Sequence, residues 1–459
     1  MMSFQVTNWA VWMHVSASIL GFLLYVASTH ALQQRRHPAA AMSWILSFIF
    51  VPYLALPAYV FFGQRKIKAG ASPRIEAADS SDVARSWMSA MLESLGSAPP
   101  RDDAHVQVHR SAAQGEASLW QLIEGAQQRI FVSTYVLGAN RVGRSLIARL
   151  AAKARAGVEV RLLLDGVGCF RVRSRQLRAL TRSGGQVARA FPPLRRLLRR
   201  QANFRNHRKL LVVDSRALWM GGRNFSDEYF EGTSKQSGWL DLSLDAAGAI
   251  AGDAERVFCA DWMLATGQRI ESGPPAAPSV VASPQAQLLA SGPDQSLDSL
   301  EALLVTACFR AQKRIIGVTP YLILDPALLQ ALCLAARRNV SVHLVLPARS
   351  NHRLADYARG RGLRELAMAG VSIWLAPQMI HAKAMVFDDF ALTGSANLDI
   401  RSLFLNFELT MVLYDPDAAQ SLADWIVASR AGARLYLPRP ASVARDLFEG
   451  AVLWLGFQL

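Results

Sequence analysis

Two stretches of this chain repeat each other, and the repeat constrains the fold more than any other feature. Residues 126–135 (AQQRIFVSTY) match residues 311–321 (AQKRIIGVTPY), and residues 146–165 (LIARLAAKARAGVEVRLLLD) match residues 328–347 (LLQALCLAARRNVSVHLVLP). In each copy a helix end runs into a short β-branched strand, and an amphipathic helix, a turn and a buried strand follow. This is βαβ grammar, and strands apolar on both faces predict sheets covered by helices. The copies lie roughly 180 residues apart, far beyond a solenoid period. The pattern therefore predicts a duplicated α/β domain.

Composition agrees with a large packed core. Apolar residues make up 51% of the 459 positions and charged residues 19%, which excludes general disorder. The four cysteines, Cys169, Cys259, Cys308 and Cys333, form no CxxC pair. They predict buried thiols in a reducing compartment rather than a disulfide framework. The net charge of +15 calls for an anionic partner, nucleic acid or a membrane surface, and composition alone does not choose between them.

The amino-terminal region points to membrane. Residues 1–64 hold no Asp or Glu, and Arg35 and Arg36 are their only Lys or Arg. Two apolar runs, 9–31 and 39–62, each exceed the roughly 20 helical residues that span a bilayer core. Trp9, Trp12, Trp44, Tyr53 and Tyr59 suit interfacial positions. Pro52 and Pro57 are tolerated in membrane helices. A two-helix transmembrane hairpin over residues 1–68 is predicted. Arg65, Lys66, Lys68 and Arg74 after the second run outnumber Arg35 and Arg36, which favours a cytoplasmic remainder.

The chemistry sits at matching places in the two copies. His207, Lys209 and Asp214 form HxKxxxxD, and His381, Lys383 and Asp388 form it again. The chain uses 43 Arg and only 7 Lys, yet both motifs place Lys two residues after His. Strand alternation puts each His and its Lys on one side, fixed by the apolar run that follows. Asn224, in Gly-Gly-Arg-Asn, and Asn397, in Gly-Ser-Ala-Asn, follow at similar spacing. Small residues admit an anion near the backbone, and the Asn amide can donate to a phosphoryl oxygen. A carboxylate follows in each copy, Asp241 and Glu408. Order and spacing assign Asp241 to His207 and Glu408 to His381, to fix each ring. Asp214 and Asp388 lie at odd strand parity from His, so parity points them away from the site. The other seven histidines have no such context and read as ordinary core or surface residues. A Lys cation beside His repels metal, so no required metal or cofactor is predicted.

These residues resemble the phospholipase D superfamily with its two HKD motifs. The membrane hairpin ending at 58–63, Asn206–Lys209, Ser291–Asp294, Thr319–Tyr321, Gly394–Asp399, Arg401, Ser402 and Asn406–Glu408 are more similar to bacterial two-span cardiolipin synthases. Asn140 and Asn351 depart from that pattern, where an Asp is common nearby. The resemblance implies two similar phospholipase D-type α/β domains forming one pseudo-two-fold catalytic core, behind a transmembrane hairpin. It implies a phosphatidyltransferase that joins two phosphatidylglycerols into cardiolipin and glycerol. It counts His207, Lys209, Asp214, His381, Lys383 and Asp388 as catalytic, with His207 as nucleophile and His381 as general acid and base. Asn224, Asn397 and the two lysines would bind phosphate. The implied place is the bacterial inner membrane, with catalytic domains in the cytoplasm and anionic phospholipid as partner. Phospholipid or nucleic-acid hydrolysis is the rival activity, and a degenerate lipid-binding scaffold is the rival class.

Residues 166–213 contain no acid, and 171–209 alone hold twelve Arg and one Lys. Residues 194–200 resemble a basic amphipathic helix suited to anionic headgroups. The expected layout is a hairpin over 1–68, a linker over 69–105, a first HKD domain over 106–266, a linker over 267–286, a second HKD domain over 287–440 and a carboxy-terminal amphipathic segment over 441–459.

Overall fold

The computed structural model describes residues 2–31, 38–67, 86–192, 201, 203–233, 236–273, 286–295 and 297–458. The basic stretch at 194–200 lies outside the described residues.

The duplicated sequence folds into duplicated sheets. The first has seven strands, in the spatial order His105–His109, Ser243–Ala247, Ala217–Gly221, Leu210–Val213, Arg129–Thr134, Glu159–Asp165 and Gln186–Ala190. The second repeats this order with Ala286–Ser291, Asn406–Leu413, Phe390–Gly394, Ala384–Phe387, Arg314–Val318, Ser341–Pro347 and Ser372–Ala376, and adds Arg434–Leu435 at its edge. In both sheets the three strands reached through helices run parallel, and the hairpin-connected strands run antiparallel. Parallel neighbours need a covering crossover helix, which explains the unbroken apolar runs in Leu162–Leu164 and Leu344–Leu346.

The two halves share a core. Phe131, Leu163, Leu210 and Val212 of the first sheet pack in one apolar cluster with Val318, Val345, Phe407 and Met411 of the second. Separate cores lie under the outer helices of each half. The helix Trp87–Ser94, within the stretch expected as a linker, buries Met88 and Leu92 in the core of the second half.

Asp214 and Asp388 sit at the far ends of the motif strands, away from their histidines. Their backbones are left-handed, with φ of 53° and 47°, a conformation Asp tolerates better than most residues. Asp214 accepts from the backbone N–H of Gln127, Gln128 and Arg129, each at 2.8 Å. Asp388 accepts from Gln312, Lys313 and Arg314, each at 2.9 Å. Each carboxylate thus staples the start of a neighbouring strand. The parity reading of their direction holds: both carboxylates, which the motif counts as catalytic, are engaged by backbone N–H groups away from the histidines.

The amino-terminal region departs from the expected hairpin. Helix Met2–Ala31 contains Asn8–His30, the one segment among the described residues long and apolar enough to cross a membrane. The second apolar run does not form one continuous helix. It is two helices, Pro38–Phe50 and Pro52–Phe62, broken at Val51. Pro52 has no N–H to donate, and Val51 leaves helical geometry at φ −138° and ψ 53°. The carboxy-terminal segment is helical over Val443–Gln458, where Arg364 binds both Asp446 and the buried Glu449.

Burial works against the Asp388 carboxylate, but the backbone donors outweigh it and hold its pKa below the usual range. Its stabilisation is therefore present above the ordinary carboxylate pKa and fades as pH falls through the lowered value. Asp388→Ala is expected to lose about 2 kcal/mol at neutral pH. Thermal unfolding in detergent should show that this gap narrows in acid, and a gap that does not change with pH would contradict the staple.

Candidate active site

The histidines are placed by contacts between the halves. The strand Arg205–Asn206 leaves its own sheet and pairs in parallel with Asn406–Leu413 of the other half, with Asn206 opposite Phe407. The His207 N–H continues this pairing onto the Phe407 carbonyl at 2.9 Å. The next register position sets His207 against Glu408. The second crossing is equivalent. Leu240 bridges Ile380 in parallel, and the His381 N–H donates to the Leu240 carbonyl at 2.7 Å. The next position sets His381 against Asp241.

The side chains follow the register. His207 Nδ1 donates to Glu408, 2.9 and 3.0 Å from its two carboxylate oxygens. His381 Nδ1 donates to Asp241 Oδ2 at 2.7 Å. The assignment made from order and spacing is therefore exchanged, and each carboxylate orients the histidine of the other half. The two copies are symmetric in sequence, so their order along the chain could not separate pairing within a half from pairing across halves.

Each carboxylate is itself held. Glu408 accepts from Ser395 Oγ at 2.5 Å, Ser402 Oγ at 2.8 Å and Asn406 Nδ2 at 3.3 Å. Asp241 accepts from the Leu242 N–H at 2.7 Å, while Arg223 donates to the Asp241 backbone carbonyl at 2.5 Å. A Cβ at Gly222 would lie 2.1 Å from Asp241 Oδ1. The small residues before Asn224 thus clear space for this carboxylate, a role the sequence reading gave to an incoming anion. Ser395 stands at the matching place in the other half and uses its hydroxyl on Glu408.

The lysines lie beside the rings. Lys209 Nζ donates to the His207 carbonyl at 2.6 Å and stands 5.5 Å from the centre of the Tyr135 ring. Lys383 Nζ lies 2.8 and 3.0 Å from the two ring nitrogens of His381. Tyr135 meets His207 edge-on at 4.8 Å, and Tyr229 meets His381 in the same way at 4.9 Å. Asn224 Oδ1 accepts from the Val136 N–H at 3.1 Å, and its side chain also bonds Tyr229. Asn397 bonds Asp399 and leaves its buried Oδ1 without a partner.

Burial dominates the electrostatics. It pulls His207 down to about 4, with Glu408 opposing and Lys209 reinforcing the shift. Burial also lowers His381, aided by Lys383 and opposed by Asp241. The lysines fall for the same reason, Lys209 to about 7 and Lys383 to about 8. Burial would raise the two carboxyls, but the facing histidine, which hydrogen-bonds each one, and the nearby Lys cations outweigh it and lower both Glu408 and Asp241. The neutral rings keep Nδ1–H on a carboxylate, which leaves Nε2 for chemistry.

Both histidines line one cleft of about 690 Å³, with Asn224, Asn397, Tyr135 and Tyr229. Asn351 and His352 also line it, and Tyr321 donates to Asn351 Oδ1 at 2.5 Å. His352 had read as an ordinary histidine. Sequence reasoning also missed Tyr135 and Tyr321, although they end the matched strands of the two copies. It missed Arg208, whose guanidinium bonds Asp261, the Glu408 carbonyl at 3.0 Å and the Ser291 carbonyl at 3.2 Å. Asp165 was missed as well. It holds the first crossing by accepting from the Asn206 N–H at 2.8 Å. Among the described residues no three His, Cys, Asp or Glu side chains converge as a metal-ligand set.

Comparison with known proteins joins this geometry to a family. The family described as "Cardiolipin synthase, PLD-like domain" matches residues 119–262 and 304–428, one match in each half. The chain belongs to this family. Cardiolipin synthase A of Pseudomonas putida (strain W619) is 31% identical, with 91% of each chain covered. Cardiolipin synthase A of Klebsiella pneumoniae (strain ATCC 700721 / MGH 78578) is 31% identical over 97% of this chain and 98% of its own. Among solved structures, phosphatidylserine synthase of Haemophilus influenzae Rd KW20 has a TM-score of 0.58 at 14% identity, covering 77% of this chain and 95% of its own. That likeness is one of fold, and the family match gives this cardiolipin synthase family member its two PLD-like domains.

The exchanged pairing has a direct thermodynamic test. Residues in contact couple by about 0.5–3 kcal/mol, whereas separate sites add. Double-mutant cycles read by thermal unfolding should couple His207→Ala with Glu408→Gln, and His381→Ala with Asp241→Asn. His207→Ala with Asp241→Asn should add. Coupling in that last pair alone would restore pairing within each half.

Proposed function

We propose that the chain transfers a phosphatidyl group between two phosphatidylglycerols, giving cardiolipin and glycerol. The carrying observation is the pair of HKD histidines in one cleft, each held through Nδ1 by a carboxylate of the opposite half. Family membership and the apolar amino-terminal helix support a lipid substrate over nucleic acid. The rival hydrolase reading differs only in the acceptor, water in place of a lipid hydroxyl.

His207 is assigned as the nucleophile. Its Nε2 attacks phosphorus, the bond from phosphorus to the headgroup glycerol oxygen breaks, and His381 Nε2 gives that oxygen a proton drawn from the Lys383 ammonium 3.0 Å away, which the acceptor's proton later restores. Glu408 stabilises the positive ring that forms as His207 becomes a phosphatidyl-histidine. The terminal glycerol hydroxyl of a second phosphatidylglycerol then gives its proton to His381 and attacks phosphorus, which releases His207. This is covalent catalysis with one residue serving as acid and then base. Lys383 favours the assignment, because it already crowds both ring nitrogens of His381. Lys209, Lys383, Asn224 and Asn397 would neutralise the phosphoryl oxygens, with Asn224 and Asn397 giving up their present partners. The chain would act at the inner membrane of a bacterium, with the catalytic halves in the cytoplasm and anionic phospholipid at the cleft.

Purified protein in vesicles of phosphatidylglycerol should yield cardiolipin and free glycerol in equal amounts. His207→Ala and His381→Ala should each lower the rate by at least ~10²-fold, the lower end of a general acid–base contribution. Phosphatidic acid as the only product would replace the synthase reading with a hydrolase.

The pH profile offers a second check. The bell-shaped dependence of kcat/KM reports the free enzyme. The neutral histidine is the active form, so burial should move the acid limb below the ordinary histidine range near 6.5. The alkaline limb should fall between about 7 and 8, where Lys209 and Lys383 lose their protons. An acid limb at or above the ordinary histidine value would contradict this site.

A further inference from the structure

The second apolar run folds back on itself. Trp44 and Tyr59 are fifteen positions apart, yet their ring centres lie 4.9 Å apart. A straight helix would separate these residues by roughly 22 Å. The first helix gives the direction of each limb. A Cβ at Gly21 would meet the Phe48 ring at 2.4 Å, so Pro38–Phe50 descends beside Met2–Ala31. His14 then meets Tyr53 near the turn, while Tyr25 and Ser28 both meet Tyr59. Pro52–Phe62 therefore climbs back toward the end of the first helix from which the second run began.

We propose that residues 38–62 form a re-entrant hairpin that enters the bilayer and leaves by the same face. The limb Pro38–Phe50 has 13 residues, roughly 20 Å of helix, against roughly 30 Å of hydrocarbon. The outward face of the turn is apolar, with Phe50 72% and Leu54 75% exposed, which suits lipid. A backbone break inside a membrane must have its polar groups satisfied. At this break His14 Nε2 donates to the Ile49 carbonyl at 2.8 Å, so the first helix supplies the missing donor.

Charge agrees with one face. In a two-span arrangement Arg35 and Arg36 would oppose Arg65, Lys66, Lys68 and Arg74 across the membrane. In the re-entrant arrangement all six lie on one side, and no Lys or Arg precedes residue 35. That is the pattern of a cytoplasmic face. Both limbs then end beside the catalytic halves. Lys66 bonds Asp298 at 2.7 Å, and the Ile67 N–H donates to the Pro293 carbonyl at 2.8 Å, which ties the hairpin to the second half within a few residues. The hairpin would hold the cleft against the leaflet that supplies its lipid. This inference rests on the membrane-bound reading of the chain.

The consequence is an odd number of crossings. Full-length Ser3→Cys and Gln33→Cys chains should be reacted with a membrane-impermeant maleimide, on intact spheroplasts and after permeabilisation. The native cysteines are buried, and the unsubstituted chain supplies the background. The re-entrant hairpin predicts that Ser3→Cys labels from outside and that Gln33→Cys labels several-fold more only after permeabilisation. The reverse pattern, or equal labelling of both, overturns it. A Ser28→Cys, Tyr59→Cys chain should also be bridged by a short bis-maleimide, because Tyr59 reaches Ser28 through the full length of its ring, and failure to bridge counts against the fold-back. Cardiolipin formation in the same cells is read separately. Loss of activity with the expected labelling would fault the assigned reaction and leave the topology standing.

Discussion

Two short parallel crossings between the halves carry the site. At one, Asn206 lies opposite Phe407. At the other, Leu240 lies opposite Ile380. Each crossing places a histidine one register step further on, against a carboxylate of the other half. Neither half alone contains a histidine with its partner. The shared apolar core, which joins Phe131 and Leu210 to Phe407 and Met411, holds the halves at the distance these crossings need. Breaking that core would separate both catalytic pairs at once.

Burial explains the electrostatics that follow. Four cationic or neutral bases and two carboxylates occupy one desolvated site, where an unpaired charge is costly. The arrangement answers by pairing. Glu408 faces His207 and Lys209, Asp241 faces His381 and Lys383, and Ser395, Ser402, Asn406 and Arg223 satisfy what remains. Low histidine and lysine pKa values are the cost of taking these groups from water. On the proposed reaction, an arriving phosphodiester would supply the negative charge that the lysines lack a full partner for.

The sequence made much of this legible. Matching strings gave the duplicated α/β domain, and the sheets repeat strand for strand. The two HxK pairs come just before the apolar strands Leu210–Val213 and Ala384–Phe387 rather than within them, and parity turned Asp214 and Asp388 away from the cleft. Other features left no readable trace. Arg208 is the variable position of its motif, and its partner Asp261 lies far along the chain on the helix Ala249–Thr266. His352 carries no motif at all and reaches the cleft only because its helix begins there. In the apolar amino-terminal region, hydropathy measured the length of the second run and not its direction. Pro52 and the loss of helical geometry at Val51 decided that.

By itself, then, the sequence determined the composition of the machine: an apolar anchor, two similar α/β halves, and one His, Lys, Asn and carboxylate from each. Those follow from local periodicity and repetition, which a linear string records. Tertiary structure alone decided which carboxylate serves which histidine and whether the second apolar run continues straight or folds back. Both depend on contacts between segments distant along the chain, and two copies that read alike are equally compatible with either pairing until strand register chooses.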